Sequence, residues 1–574
     1  MVTTGPEADT VAEAPEGSPD DERRRRRRKR TLDLLAVGIV LAAFLIPLRG
    51  LLRTTGPTME EGFMLAFPER LLRGEIPNQD FLHLYGPGSL WVLAAVYKVF
   101  GATLEVERLF GLLQQMGVAF GAFAIGRWWG RRVAVVCGLL AMVIMLPPAG
   151  LTAFAWTGGV ALGLCGLAVG LHARATPDDR RGTWLAAGAG ILFGLAFLYR
   201  LDLVIACGLA ALVLVWKAPR RRVVALLGAA TATASLVLIQ FVMAGFGNAF
   251  RGMILDPVFK LRPGRGLPVP PSWGRLDGFL QRVGDAPNPL WWPFPMLPQS
   301  NQIFIWFFLN LAAIATLVGV GIWAMRRDPT SIRSRAVLAS GLFSLGMVMQ
   351  TLQRPDTTHI AWVSCVSIGL VPIALMELLR ARRPGPHARH AWLVACGVPA
   401  LAMLVLVPAF TYRSYADFTA QTFGQHRRAY LIERNGVRFY YGDLGMANAA
   451  NAMIPTLDEL VKPGDRLFVG PADLRKTVTS EAWIYALYPE ARPGTYYIEM
   501  DPGIANADDS RLADDLRSSD VAVLSRFWLD WDEPNDSVKL GSPAANRVLK
   551  RHFCLVDTFE PWFEVYRRCD RPAP

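Results

Sequence analysis

The chain has 574 residues, of which 52% are hydrophobic and only 19% charged, with a formal net charge of +12 and a mean hydropathy of +0.28. So apolar a composition excludes an ordinary soluble protein of this length, and the apolar residues come in blocks of about twenty, the length that crosses a bilayer as a helix. The positive charge does not point to nucleic acid, because Arg and Lys sit in short loops between apolar blocks, where the positive-inside rule accounts for them.

Residues 1 to 22, rich in Pro, Gly, Glu and Asp and without apolar periodicity, read as a disordered tail. Arg23 to Arg30 is an unbroken run of eight basic residues. Such a block can bind nucleic acid or anionic lipid, but directly before an apolar helix it is most simply a cytoplasmic anchor that closes a tail over 1–31. Residues 32–52 are that helix, and no small-residue cleavage motif follows it, so an uncleaved span is expected.

The first external segment, 53–103, is more than a linker. It opens with Thr58-Met59-Glu60-Glu61-Gly62, two adjacent carboxylates just beyond a span, and a third, Asp80, follows about twenty residues on. Gly62 to Arg73 interleaves Phe63, Leu65, Phe67, Leu71 and Leu72 with Glu69, Arg70 and Arg73, the amphipathic pattern of a helix lying in the membrane interface, and Gly88 to Phe100 is a second such segment.

Ten further apolar blocks, at about 104–126, 133–148, 157–173, 184–199, 203–216, 223–243, 303–325, 336–352, 360–379 and 391–411, bring the expected spans to about eleven in a transmembrane domain over 32–411. Counted alternately, the cytoplasmic loops carry Arg127, Arg131 and Arg132; Arg174, Arg180 and Arg181; Lys217 and Arg220 to Arg222; Arg326, Arg327, Arg333 and Arg335; and Arg380, Arg382, Arg383 and Arg389. All five are basic, which sets an orientation for the cell membrane: N-terminus cytoplasmic, 53–103, 244–302 and the C-terminal domain outside. Two external turns hold charge at membrane depth, where it is costly and tends to be functional. These are Arg200 with Asp202, and Arg354 with Asp356 and His359. Snorkelling at helix ends is the ordinary alternative. In the loop 244–302, Lys260, Arg262 and Arg265 could hold a lipid phosphate or form a solvated surface, and Trp273, Trp291 and Trp292 suit interface anchoring.

From residue 412 the chain reads as a small external α/β domain over 412–574, with strand-like runs at Arg466–Val469, Tyr496–Met500, Val521–Leu524 and Trp562–Tyr566 and a helix at Asp509–Arg517. It has neither a Gly-rich phosphate loop nor a nucleophile elbow, which argues against a second catalytic centre. Cys137, Cys165, Cys207, Cys365 and Cys396 fall within apolar helices; Cys554 and Cys569 lie outside them and could pair in an oxidising compartment.

The order of a first span, Glu60-Glu61-Gly62, a Leu-rich helix ending in Arg73-Gly74-Glu75-Ile76-Pro77, Asp80-Phe81, Gly86-Pro87, an aromatic helix ending in Lys98-Val99-Phe100-Gly101, and Arg108 opening the next span resembles the start of the polytopic membrane glycosyltransferases of the GT-C fold. It is most similar to the family 39-like group of protein mannosyltransferases and aminoarabinose transferases. The resemblance covers residues 32–126 in detail and the rest as a hydropathy plan, and it departs in one place: the family's acidic pair usually begins with Asp, here Glu60.

The resemblance implies a polyprenyl-phosphate sugar donor and a glycan, lipid or protein acceptor outside the membrane. Such transfer needs a base for the acceptor hydroxyl and positive charge for the departing phosphate. Glu60 is the first choice of base and Glu61 the second, with Asp80 as an orienting or sugar-binding partner; a helix-capping role for the acidic pair is the bland alternative. Arg200, Asp202, Lys260, Arg262, Arg354, Asp356 and His359 are the expected substrate-binding set. A divalent cation bridging the phosphate and a carboxylate is compatible with these residues, although carboxylates this scattered define no ligand set. A lipid-sugar or solute transporter and a non-catalytic envelope scaffold are the other classes. A transporter should show mid-span ionisable groups and internal repeats, and the sequence shows acids chiefly at the external ends.

Overall fold

The computed structural model describes residues 19–570 except 284–291, 383–389, 426–428, 478, 536–538 and 540. Residues 1–18 of the tail expected over 1–31, together with Trp291, Arg383 and Arg389, lie outside the described residues, as does the side chain of Arg262; the rest of that tail is not disordered but continues the first span as one helix, Pro19–Leu45.

The protein is a helical membrane bundle with a C-terminal α/β domain. Among the described residues nine helices are long and apolar enough to cross a membrane, and Ala391–Leu406, bent by 96° against the helix that follows, makes a tenth. Leu203–Val215, read from sequence as an eleventh span, is a helix of 13 residues and so falls short of the hydrocarbon thickness on its own. Wide lipid-facing surfaces, such as Val242, Leu212 and Leu401, stay exposed, as expected of helices whose solvent is hydrocarbon.

The basic loops gather at one end of the bundle. Arg127 and Arg131 both donate to Asp33 at the start of the first span (2.8 and 2.6 Å), Arg174 reaches Lys217 O, Arg333 reaches Trp128 O, and Trp129 Nε1 bonds Glu377. The α/β domain caps the opposite end. Its five-stranded sheet has the order β4-β3-β5-β7-β6, with β3 (Arg466–Pro471) parallel to β4 (Arg492–Pro493) and β5 (Val521–Ser525), and β7 (Phe563–Arg568) antiparallel to β5 and β6 (Phe553–Phe559). A separate hairpin joins β1 (Tyr430–Arg434) to β2 (Val437–Tyr441). Cys554 and Cys569 form a disulfide across this sheet, while the five cysteines of the helices are free.

Two further expectations change. Tyr496–Met500 is not a strand: Tyr496 N bonds the Asp515 carboxylate and Tyr496 O accepts from Leu82 N, so its backbone groups are satisfied by a side chain and by the bundle rather than by a ladder. The helix expected over Gly62 to Arg73 is Thr58–Leu72, and it does not lie amphipathically in the interface. It is buried from Met59 to Pro68, because the α/β domain covers the side that would otherwise face water. Arg70 fastens this arrangement, donating to Glu75 (2.6 Å), Thr495 O (2.7 Å) and Asp80 O (3.0 Å). Gly62 lets the helix approach the domain: a Cβ there would stand 2.4 Å from the backbone nitrogen of Trp483. Gly62→Leu is therefore expected to destabilise the protein by about 1–3 kcal/mol through overpacking, read as a lowered melting midpoint in detergent.

Candidate active site

The Thr58–Leu72 helix begins after Gly56-Pro57, and its first turn holds both acids. Successive helical residues project about 100° apart, so Glu60 and Glu61 face different surroundings. Glu60 points into a cavity of about 530 Å³ between the bundle and the α/β domain. It is 6% exposed, and its Oε2 has no hydrogen-bond partner among the described residues. Burial raises its carboxyl from 4.5 to about 7, against the opposing pull of the helix backbone, Arg265 and Arg354. Glu61 turns away into the protein and is fully buried in a two-pronged ion pair with Arg108 (Nε–Oε1 2.7 Å, Nη2–Oε2 2.8 Å). The remaining Arg108 nitrogen bonds the carbonyls of Leu51 and Leu52 at the end of the first helical span. Asp80 stands outside the cavity, accepting from Ile76 N (2.7 Å) to close the turn between the helices Thr58–Leu72 and Pro87–Phe100.

Arg200, Arg265, Arg354 and His359 line the same cavity as Glu60. Arg200 pairs with Asp202 (3.2 and 3.0 Å) and lies over the rings of Tyr85 and Trp156 at 5.0 and 5.1 Å. Arg265 donates to Asp501 (2.7 Å). Arg354 is committed on all sides, to Asp356 (2.9 Å), Arg265 O (2.7 Å) and both oxygens of Glu533 (3.0 and 2.6 Å). Asp356 does not line the cavity; from behind, it accepts from the backbone and ring of His359 (both 2.9 Å) and so fixes the imidazole. Lys260 pairs with the exposed Asp509 (2.9 Å), outside the cavity.

Sequence reading assigned no role to Glu499, Glu533, Tyr85, Trp156 or Trp362. Glu499 lines the cavity, accepts from Tyr85 Oη (3.1 Å), and is pushed well above the ordinary carboxylate value by burial and by the neighbouring Asp501. The signal was present as one acid, Glu499, inside the apolar run Tyr496 to Met500 and a second, Asp501, directly after it, which the strand reading absorbed. The α/β domain thus supplies carboxylates to this site, although it carries no motif of its own. Among the described residues no group of three or more His, Cys, Asp or Glu side chains stands together as a metal site.

No family model and no curated protein matches the chain. Among solved structures it is similar to ArnT from Cupriavidus metallidurans bound to undecaprenyl phosphate, at 14% identity and a TM-score of 0.47, with 94% of this chain and 98% of that one covered. It is also similar to the oligosaccharyltransferase of Archaeoglobus fulgidus tethered with an acceptor peptide, at 12% identity and a TM-score of 0.45, with 93% of this chain and 74% of that one covered. Both are membrane glycosyltransferases of the GT-C fold, the class that residues 32–126 of this sequence resemble.

Proposed function

We propose that the protein transfers a sugar from a polyprenyl-phosphate-linked donor to an envelope acceptor on the extracytoplasmic face, with Glu60 as general base. The observation that carries this reading is Glu60 itself: a buried carboxylate with one oxygen unpartnered, sharing with three arginines the wall of a cavity large enough for a sugar phosphate. The carboxylate takes the proton of the acceptor hydroxyl as its oxygen attacks the anomeric carbon. The bond from that carbon to the lipid phosphate breaks, and the phosphate leaves toward positive charge. Arg200 and Arg265 are the residues for that charge, since each bonds a single carboxylate, whereas Arg354 is held by two. Beside the polar site the cavity wall is Met253, Ile254, Val258, Val204 and Ile205, and the exposed outer surfaces of the last three suit a lipid chain entering from the bilayer.

The orientation follows from the same plan. The basic loops cluster at the end away from the site, and the disulfide Cys554–Cys569 is suited to an oxidising compartment, so the site and the α/β domain face outward.

The test is transfer from radiolabelled polyprenyl-phosphate sugars by the purified chain in liposomes, paired with mass spectrometry of envelope glycans and lipid-linked sugars in a deletion strain. Absence of transfer from every donor together with an unchanged envelope profile overturns the reading. Within that assay, Arg200→Ala is expected to raise the donor KM about tenfold or more with a smaller change in kcat, because a charge-assisted bond to the lipid phosphate is lost on binding.

A further inference from the structure

Beside the catalytic cavity, the α/β domain carries a cluster of aromatic rings that the proposed chemistry does not use. After β5 the chain runs Phe527-Trp528-Leu529-Asp530-Trp531-Asp532-Glu533, and Trp562 joins it from the turn between β6 and β7, where Arg526 N donates to Trp562 O (2.8 Å). Ring centroids are 4.7 Å apart for Phe527 and Trp528, 5.1 Å for Trp528 and Trp531, and 5.3 Å for Phe527 and Trp562. The Arg282 guanidinium lies over the Trp531 ring at 4.7 Å. All four aromatic residues are half-buried, so each keeps part of its surface in contact with solvent. None of the three indole N–H groups has a hydrogen-bond partner among the described residues, and none is sealed from solvent.

The cluster adjoins the cavity through one residue. Phe279 is buried, with its ring 6.2 Å from that of Trp528 and 5.6 Å from the guanidinium carbon of the cavity-lining Arg354. Phe279 N donates to Glu533 (3.0 Å), the carboxylate that holds Arg354, and the next residue, Leu280, lines the cavity. Contact by contact, the rings lead from the cavity wall through Phe279 to Trp528, and from there to Trp531 and, by way of Phe527, to Trp562.

Aromatic residues on the outer side of a membrane protein ordinarily anchor it in the lipid interface, a place that disfavours exposed carboxylates. Here acids are interleaved with the rings. Asp530, next to Trp531, is exposed, and Asp532 and Glu560 keep 51% and 65% of their side chains exposed while pairing with Lys476 and Arg526. Ring faces, free indole donors and hydrated acceptors together match a sugar. Its C–H face stacks on the electron-rich face of an indole, and its hydroxyl rim can both donate and accept.

We infer that Trp528, Trp531 and Trp562 form a platform for a glycan chain, the acceptor of the reaction, and lead that chain to the cavity. That the bound glycan is the acceptor rests on the transferase reading; that the platform binds glycan does not.

The test therefore measures binding without donor or turnover. The full chain in nanodiscs of uncharged phosphatidylcholine is applied to immobilised hexasaccharides of glucose, mannose, galactose, arabinose, xylose and N-acetylglucosamine. The expected result is saturable binding of at least one chain, with the matching monosaccharide a poor competitor, because several rings share the contact. Trp531→Ala and Trp562→Ala should each weaken that binding by about tenfold or more, the loss typical of an aromatic anchor in a recognition surface. Trp531→Phe keeps a ring and the fold, and it should show a smaller loss that stands on its own should an alanine variant fail to fold. Glu60→Gln should bind as the wild type does, so failure of the transferase reading leaves this measurement intact. Absence of wild-type binding to every chain overturns the inference, as does binding unchanged in all three tryptophan variants. A melting midpoint lowered by these variants in nanodiscs but not in detergent, with glycan binding absent, makes the cluster a lipid-interface anchor instead.

Discussion

Glu60→Gln is expected to cut transfer from a polyprenyl-phosphate sugar by about 10²- to 10⁴-fold, the range for removing a general base, while the protein still inserts and melts cooperatively. The isosteric amide keeps the packing of the first helical turn but cannot take a proton from the acceptor. Because burial lifts this carboxyl to about 7, wild-type activity should climb as pH rises through that value and level off above it. Stability has the opposite slope. The folded protein keeps the proton up to about pH 7, whereas an unfolded chain releases it near 4.5, so stability falls as pH rises across that interval. The base is thus active in its less stable form, and Glu60→Gln should flatten both profiles. Undiminished turnover in the variant removes Glu60 as base.

Arg108→Ala is expected to be the most damaging single change outside the cavity. It leaves Glu61 ionised, fully buried and unpaired, which costs about 3–5 kcal/mol, and it strips the Leu51 and Leu52 carbonyls of their donor. Melting of the detergent-solubilised chain should show the loss. The double change Glu61→Leu with Arg108→Met should recover most of it, since two apolar side chains of similar volume can replace a buried ion pair. The double variant also decides between the two acids of the motif: retained transfer makes Glu61 a structural partner, whereas a folded but inactive protein places it in the chemistry.

The hydropathy blocks, the alternation of basic loops and the acidic motif were legible because each is written in consecutive residues and answers to a local rule. Arg200, Asp202, Arg354 and His359 stood out for the same reason, as charges at helix ends in an apolar chain. Two recurring ambiguities needed the third dimension. Glu60 and Glu61 are adjacent and chemically alike in sequence, and only the helix rotation and the position of Arg108 separate the cavity-facing acid from the paired one. Of the basic run, Lys260 and Arg262 were placed in the substrate-binding set and Arg265 was left out, whereas the fold sets Arg265, bonded to Asp501, in the cavity wall and leaves Lys260 at the surface.

The membrane class, the division into bundle and α/β domain, and the stretch holding the candidate base are consequences of composition, helical period and loop charge, all of them short-range and additive along the chain. The enclosure of that base is not. It arises from segments far apart in sequence, the first helix after the first span, the turns at 200 and 354, and the loops bearing Glu499 and Glu533, brought together by packing of the domain on the bundle. Desolvation depends on what lies on every side of a group, and no local pattern encodes that. The chain announces Glu60, but the fold decides that its carboxylate is buried, raised to about 7 and set in a cavity lined by arginines.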